Sequence, residues 1–148
     1  MTVPWEVMVI SSDLETRQEL VHILREQEVD PISASTIAES LSLLKNNLIG
    51  LVFCDSHLSD GSYRDFLSSA GLLKTKCRVV VTSRRADWDE LFEAMRLGAF
   101  DVIAAPCRPT DVEWMVIQAK RDKRSRLVEA VSGSASATGR SRAASQGA

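Results

Sequence analysis

Short apolar runs alternate with helix-start signals along most of this chain, and that alternation limits the folds open to it. Residues 7–10 (VMVI), 51–54 (LVFC), 78–82 (RVVVT) and 102–105 (VIAA) are compact apolar runs, with a weaker candidate at 29–34. The third to fifth of these five segments carry almost no polar interruption, as strands covered on both faces do. Between them stand pairs of Ser, Thr or Asp with Glu three residues on: Ser12 with Glu15, Thr36 with Glu39, Asp87 with Glu90, and Thr110 with Glu113. Each reads as a capping box opening a helix. Leu20, Ile23 and Leu24 then give the first helix its apolar stripe, and Ile37, Leu41 and Leu44 the second. Phe66, Leu67 and Ala70 point inward from a third helix at 62–73, and Leu91, Ala94 and Met95 follow at helical spacing in a fourth. Five strands alternating with five helices predict an α/β fold: a doubly wound, flavodoxin-like, five-stranded parallel sheet, (βα)5.

Such a fold places its site beyond the carboxyl ends of the strands. The third run ends there on a carboxylate, Asp55, in the stretch GLVFCDSHLSDG. A charge at the tip of a buried strand costs free energy unless a neighbour uses it. Ser11, Ser12 and Thr82 fall at the same end of the predicted sheet.

A chain of 148 residues can bury one ordinary core. Residues 1–131 read as one domain, with its core over about 5–122 and an extended last helix; the Ser/Ala/Gly-rich stretch 132–148 reads as a disordered tail. The apolar runs are far shorter than a bilayer span, and MTVPWEV lacks a secretory pattern, so no membrane association is expected. Cys54, Cys77 and Cys107 form no C-x-x-C pair and read as small core residues in a reducing cytoplasm. The net charge of −2 is uneven: residues 110–148 carry +3, concentrated in KRDKRSR at 120–126. That cluster reads as a solvated helix end; no aromatic or glycine pattern points to nucleic acid. The phosphate-cradle and nucleophile-elbow motifs of α/β enzymes are absent, and catalysis is not expected.

The segment from Asp55 to Gly61, DSHLSDG, is similar to the D-x-x-L-P-D-G segment of response-regulator receiver domains, the phosphoryl-accepting modules of bacterial two-component signalling. Thr82-Ser83, the turn Leu97-Gly-Ala-Phe-Asp101, Ala105-Pro106 and Arg17 resemble further family positions. The resemblance implies Asp55 as phosphoacceptor, Thr82 and Val102 as switch positions, a cis bond between Ala105 and Pro106, and a histidine kinase or downstream signalling protein as partner. It also locates the departures. Ser11 and Ser12 replace the family's acidic pair, Ala105 its lysine, Val102 its aromatic residue and Ser59 its turn proline.

In the family Mg²⁺ is held by the acceptor, the acidic pair and one backbone carbonyl, here that of His57. Attack of a carboxylate on a phosphoryl group needs such a cation, and Mg²⁺ favours hard carboxylate oxygens. Two readings follow. In one, the site is degenerate, binds Mg²⁺ weakly or not at all, and the domain acts as a protein-binding module independent of phosphorylation. In the other, Asp55 is phosphorylated with relocated ligands, Asp13, Asp60 and His57 being the candidates beside it. Asp55 has a third, structural role open to it, as a strand-end carboxylate accepting bonds from Ser11 and Ser12. On the last helix, Val112, Met115, Val116 and Ala119 share the face expected to pack on the sheet. Trp114 and Ile117 lie opposite, a candidate anchor for a partner or a homodimer. No further domain is expected after the receiver.

Overall fold

In a computed structural model, the backbone is described for residues 5–72 and 77–132, and side chains for 5–70 and 77–121. The elements run in the order β1 (Glu6–Ile10), α1 (Leu14–Glu26), β2 (Ile32–Ala34), α2 (Ile37–Asn46), β3 (Ile49–Asp55), β4 (His57–Leu58), β5 (Gly61–Ser62), α3 (Tyr63–Leu72), β6 (Arg78–Ser83), α4 (Trp88–Arg96), β7 (Asp101–Ala104) and α5 (Pro109–Ser132). Five strands form one parallel sheet in the order β2-β1-β3-β6-β7; β4 and β5 make a separate two-residue antiparallel ladder just after Asp55. The expected doubly wound (βα)5 architecture is therefore present, with the small ladder as an unanticipated addition.

Alternation along the central strands divides the core in two. Met8, Ile10, Val52, Cys54, Val79 and Val81 face the side covered by α2, α3 and α4, where Ile37, Leu44, Phe66, Leu67, Ala70 and Ala94 meet them. Val7, Val9, Leu51, Phe53 and Val80 face α1 and α5, against Leu20, Leu24, Val112, Met115 and Val116. Both faces are apolar because every connection between strands of the five-stranded sheet passes through a crossover helix. The first six residues of β3 are all buried. Each fully buried Leu, Val or Phe there contributes about 1.5–3 kcal/mol relative to an exposed one.

The helix starts correct several details. Asp13, not Ser12, caps α1, accepting from the Thr16 backbone N–H at 2.9 Å. A full negative charge suits the positive pole of a helix better than a neutral hydroxyl. The Ser12 hydroxyl instead donates to the Ser35 carbonyl and accepts from the Ser59 N–H at 2.8 Å. Thr36 and Asp87 cap α2 and α4 as expected. Thr110 is no cap: α5 begins one residue earlier at Pro109, whose missing N–H and fixed φ suit a first helical position. Met95, expected inward, is 50% exposed, while Ala94 beside it is buried. The 100° step between them carries Met95 past the edge of the packed face.

Val112, Met115, Val116 and Ala119 are buried as expected, and Trp114 and Ile117 are 51% and 39% exposed. Lys120 and Arg121 are exposed; the remaining side chains of the basic cluster and the expected tail from residue 133 lie outside the described residues. Cys54 is buried, Cys77 and Cys107 half-buried. Burial pushes the Cys54 thiol well above its ordinary value and the Cys107 thiol up to about 12, in keeping with packing roles. No helix among the described residues is long and apolar enough to cross a membrane.

At the amino end of β3, a Cβ built on Gly50 would stand 2.3 Å from Cδ2 of the buried Trp5 indole. Glycine is required there by a close approach of side chain to backbone. Gly50→Ala is expected to destabilise the domain by about 1–3 kcal/mol, in the range of an overpacked core. Urea unfolding would measure it, and an unchanged midpoint would show that the indole moves aside freely.

Candidate functional site

The strand order makes β1 the turning point of the topology: its connection through α1 leads to β2 on one side, while β3 lies on the other. Loops leaving the carboxyl ends of β1 and β3 diverge and leave a crevice between them. Ser11 follows β1 and Asp55 ends β3; Thr82 pairs directly with Asp55 across the β3–β6 ladder.

These three form one hydrogen-bonded group. The Ser11 hydroxyl donates to Asp55 Oδ2 at 3.1 Å. Asp55 Oδ1 accepts from the Ser56 backbone N–H at 3.1 Å and from the Thr82 hydroxyl at 3.4 Å. Ser11 and Thr82 are each 2% exposed, and Asp55 is half-buried. Burial pushes the Asp55 carboxyl above the ordinary carboxylate range; the Ser11, Ser56 and Thr82 donors, and more remotely the Arg84 guanidinium, pull it back. The Arg17 guanidinium donates to the Ser11 carbonyl at 2.6 Å and so fixes the backbone from which that hydroxyl reaches.

Other residues read from the sequence are placed elsewhere. Ser12 ties the β1–α1 loop to the β2–α2 and β4–β5 turns and does not bond Asp55. Asp13 is exposed and bonded to the Thr16 hydroxyl and N–H, which hold its carboxyl below the usual range. Asp60 accepts from the N–H groups of Ile37 and Ala38 at 2.9 and 3.2 Å; these bonds lower its carboxyl too. It is a second cap on α2, supplied from across the fold. His57 is exposed, with Nδ1 3.2 Å from the Ser56 hydroxyl. Ala105 and Val102 are half-buried; the Ala105 N–H donates to the Ser83 carbonyl, and the Ala105–Pro106 bond is cis as the resemblance implies.

The donor chemistry does not fit Mg²⁺. At the strand ends one carboxylate stands among neutral hydroxyls, and the two neighbouring carboxylates are spent on helix N-termini. No three His, Cys, Asp or Glu side chains among the described residues are grouped to hold a metal. Octahedral Mg²⁺ sites rely on hard, usually anionic oxygens.

Two participants were not read from the sequence. Arg84, exposed two residues beyond Thr82, is the cation whose charge reaches both Asp55 and Asp13. Glu90, taken only as half of a capping box, is 7% exposed and accepts from the Ser83 hydroxyl at 2.5 Å and the Ala86 N–H at 3.1 Å. It holds the β6–α4 loop, where Ala86 sits at φ 41°. The signal for Arg84 was available as a basic residue just past a site strand. Nothing in the pattern marked Glu90 as buried.

No family model matches the sequence. The receiver domain of a response regulator from Clostridium thermocellum superposes with a TM-score of 0.74 at 22% identity, covering 81% of this chain and 97% of that one. A CheY-like receiver domain from Methanospirillum hungatei gives 0.73 at 18% identity, covering 83% and 99%. The fold is that of a response-regulator receiver domain. By sequence, the receiver-fold chain is similar to the alginate biosynthesis transcriptional regulatory protein AlgB of Pseudomonas aeruginosa, 22% identical over 103 residues, and to that of Pseudomonas putida, 21% identical. The match covers 70% of this chain and 23% of each relative, so the receiver-fold chain spans about a quarter of the length of the curated relatives it matches.

The raised Asp55 carboxyl has a definite consequence for stability. The folded state holds that proton more tightly than the unfolded one, so Asp55 favours folding least once the pH has risen through its folded value. Asp55→Asn should therefore be more stable than wild type near neutral pH, the advantage shrinking as pH falls toward about 4. Paired thermal melts across that interval would measure it; a variant less stable at neutral pH than at pH 4, relative to wild type, would reverse the sign.

Proposed function

We propose that the domain is a receiver-type signalling module of a two-component or phosphorelay pathway that works by binding protein and not by accepting phosphate. The observation that carries this reading is the closed set of bonds around Asp55. Its two oxygens are taken by Ser11, Ser56 and Thr82, while Asp13 and Asp60 cap helices. An incoming phosphoryl group brings its own negative charge against that carboxylate. Without a bound cation the repulsion is uncompensated, and Ala105 supplies none where receivers carry lysine. Ser11 and Thr82 satisfy the carboxylate without any change of charge, so the site serves as a structural tie between β1, β3 and β6.

A partner would then read the surface and not a chemical mark. A histidine kinase or a downstream signalling protein fits such a role, with Trp114 and Ile117 on α5 as one apolar anchor. The module is not a catalyst in this reading, and it has no resident cofactor.

The test is to restore the charges. Wild type, mixed with a small-molecule phosphodonor and millimolar Mg²⁺, should gain no acyl phosphate by intact mass, with Asp55→Asn as the control. Ser11→Asp, Ser12→Asp and Ala105→Lys together should bring Mg²⁺ binding into the millimolar range, since three carboxylates then converge. The triple variant should be less stable than wild type without metal, because clustered carboxylates repel. Labelling of wild type at Asp55 as readily as of the restored variant would refute this reading in favour of an active phosphoacceptor with relocated ligands.

A further inference from the structure

The helices α3 and α4 contribute to one core cluster, which holds Tyr63 and Phe66 from the first and Ala94 from the second. Arg64 joins the two helices on the outside, its Nε donating to Glu93 Oε2 at 2.6 Å. The same guanidinium stands over the Tyr63 ring, 4.9 Å from its centroid. Tyr63 is 1% exposed, and its hydroxyl has no hydrogen-bond partner among the described residues. A buried donor left unpaired costs its full desolvation.

Glu90 stands one turn before Ala94, so both lie on the α4 face turned toward that cluster. Its Oε1 accepts from the Ser83 hydroxyl and the Ala86 N–H, while its Oε2 takes no bond among the described residues. Burial raises the Tyr63 phenol above its ordinary value, and the charges that reach it are those of Arg64, Glu93, Glu90 and Arg85. Asp87 accepts from the Glu90 backbone N–H at 2.9 Å, so the backbone is pinned and only the Glu90 side chain is free to turn.

That side chain has two places to go. Against Ser83 and Ala86 it makes two charge-assisted bonds. The same position holds Ala86 at φ 41°, a left-handed conformation disfavoured by its Cβ, and leaves the Tyr63 hydroxyl unpaired. Turned to Tyr63, the carboxylate gives up those two bonds, satisfies the buried phenol and releases Ala86. The Ser83 oxygen keeps the Arg85 N–H at 3.1 Å. Each position therefore has gains that the other lacks. We infer that Glu90 is a two-position latch on the β6–α4 loop, closed on Ser83 and Ala86 as in this structure and open on the Tyr63 hydroxyl. Opening frees the segment that leads into α4 and Trp88. The latch uses neither Val102 nor the charge of Asp55, so it stands whether or not Asp55 accepts phosphate.

Amide hydrogen exchange of the full chain, read residue by residue by NMR, tests it. The Ala86 N–H meets Glu90 only when the latch is closed, and Val80, buried in mid-sheet, reports global unfolding. In wild type, Ala86 should exchange by local opening, much faster than Val80. Tyr63→Phe keeps the ring but removes the open partner, and should slow Ala86 exchange about tenfold, the size of one hydrogen bond to a charged group. Ser83→Ala weakens the closed position and should speed it about tenfold. The double variant should return close to wild type, because each position has then lost one bond. Val80 exchanging more slowly than Ala86 in Ser83→Ala shows that this variant stays folded. Tyr63→Phe that leaves Ala86 exchange unchanged, or speeds it, would overturn the inference and make the phenol a fixed packing group. So would a Ser83→Ala effect that Tyr63→Phe does not cancel, or a wild-type Ala86 amide as slow as Val80.

Discussion

Burial of β3 is the constraint from which the rest of the domain follows. Ile49 to Cys54 are hidden on both faces, so helices must cover the sheet above and below, and the strands beside it must run parallel to accommodate the crossovers. The same strand delivers Asp55 to the point where the run of apolar residues stops. Its neighbours in register, Ile10 opposite Cys54 and Thr82 opposite Asp55, determine which groups can meet that carboxylate. The site is a consequence of sheet register more than of loop conformation.

Around Asp55 the side-chain donors are hydroxyls. Ser11 and Thr82 donate without adding charge, and Ser56 contributes a backbone N–H. Such a group satisfies a half-buried carboxylate but offers little to a divalent cation or a phosphoryl group. Elsewhere, carboxylates with no counterpart at the site are put to structural use. Asp13 and Asp60 meet the amino ends of α1 and α2, where partial positive charge gathers. Glu90 is buried against the β6–α4 loop. Asp13, Asp60 and Glu90 thus stabilise helix starts and a turn near the site.

Strand identity, helix order and the position of Asp55 were legible because they rest on patterns within a single segment. Continuous apolar runs mark covered strands, and Thr36 and Asp87 mark helix starts by local chemistry alone. The misreadings share a different cause. Asp60 reaches α2 from 23 residues away, and Ser12 is drawn off its helix by Ser35 and Ser59; tertiary partners decided both. Met95 was misplaced because spacing locates a stripe but not its edges, which depend on how closely α4 lies against the sheet. The β4–β5 ladder, two residues a side, is too short for any periodicity to reveal.

The three tryptophans occupy different environments, and that separates two signals in one molecule. Trp5 is sealed at the foot of the sheet over Gly50, whereas Trp88 and Trp114 stand in solvent on α4 and α5. Emission from the first shifts only when the sheet itself opens. Emission from the other two responds to whatever settles on either helix while the sheet stays shut. The chain thus carries its own optical distinction between coming apart and being bound, and replacing either surface indole with phenylalanine would assign a spectral change to one helix or the other.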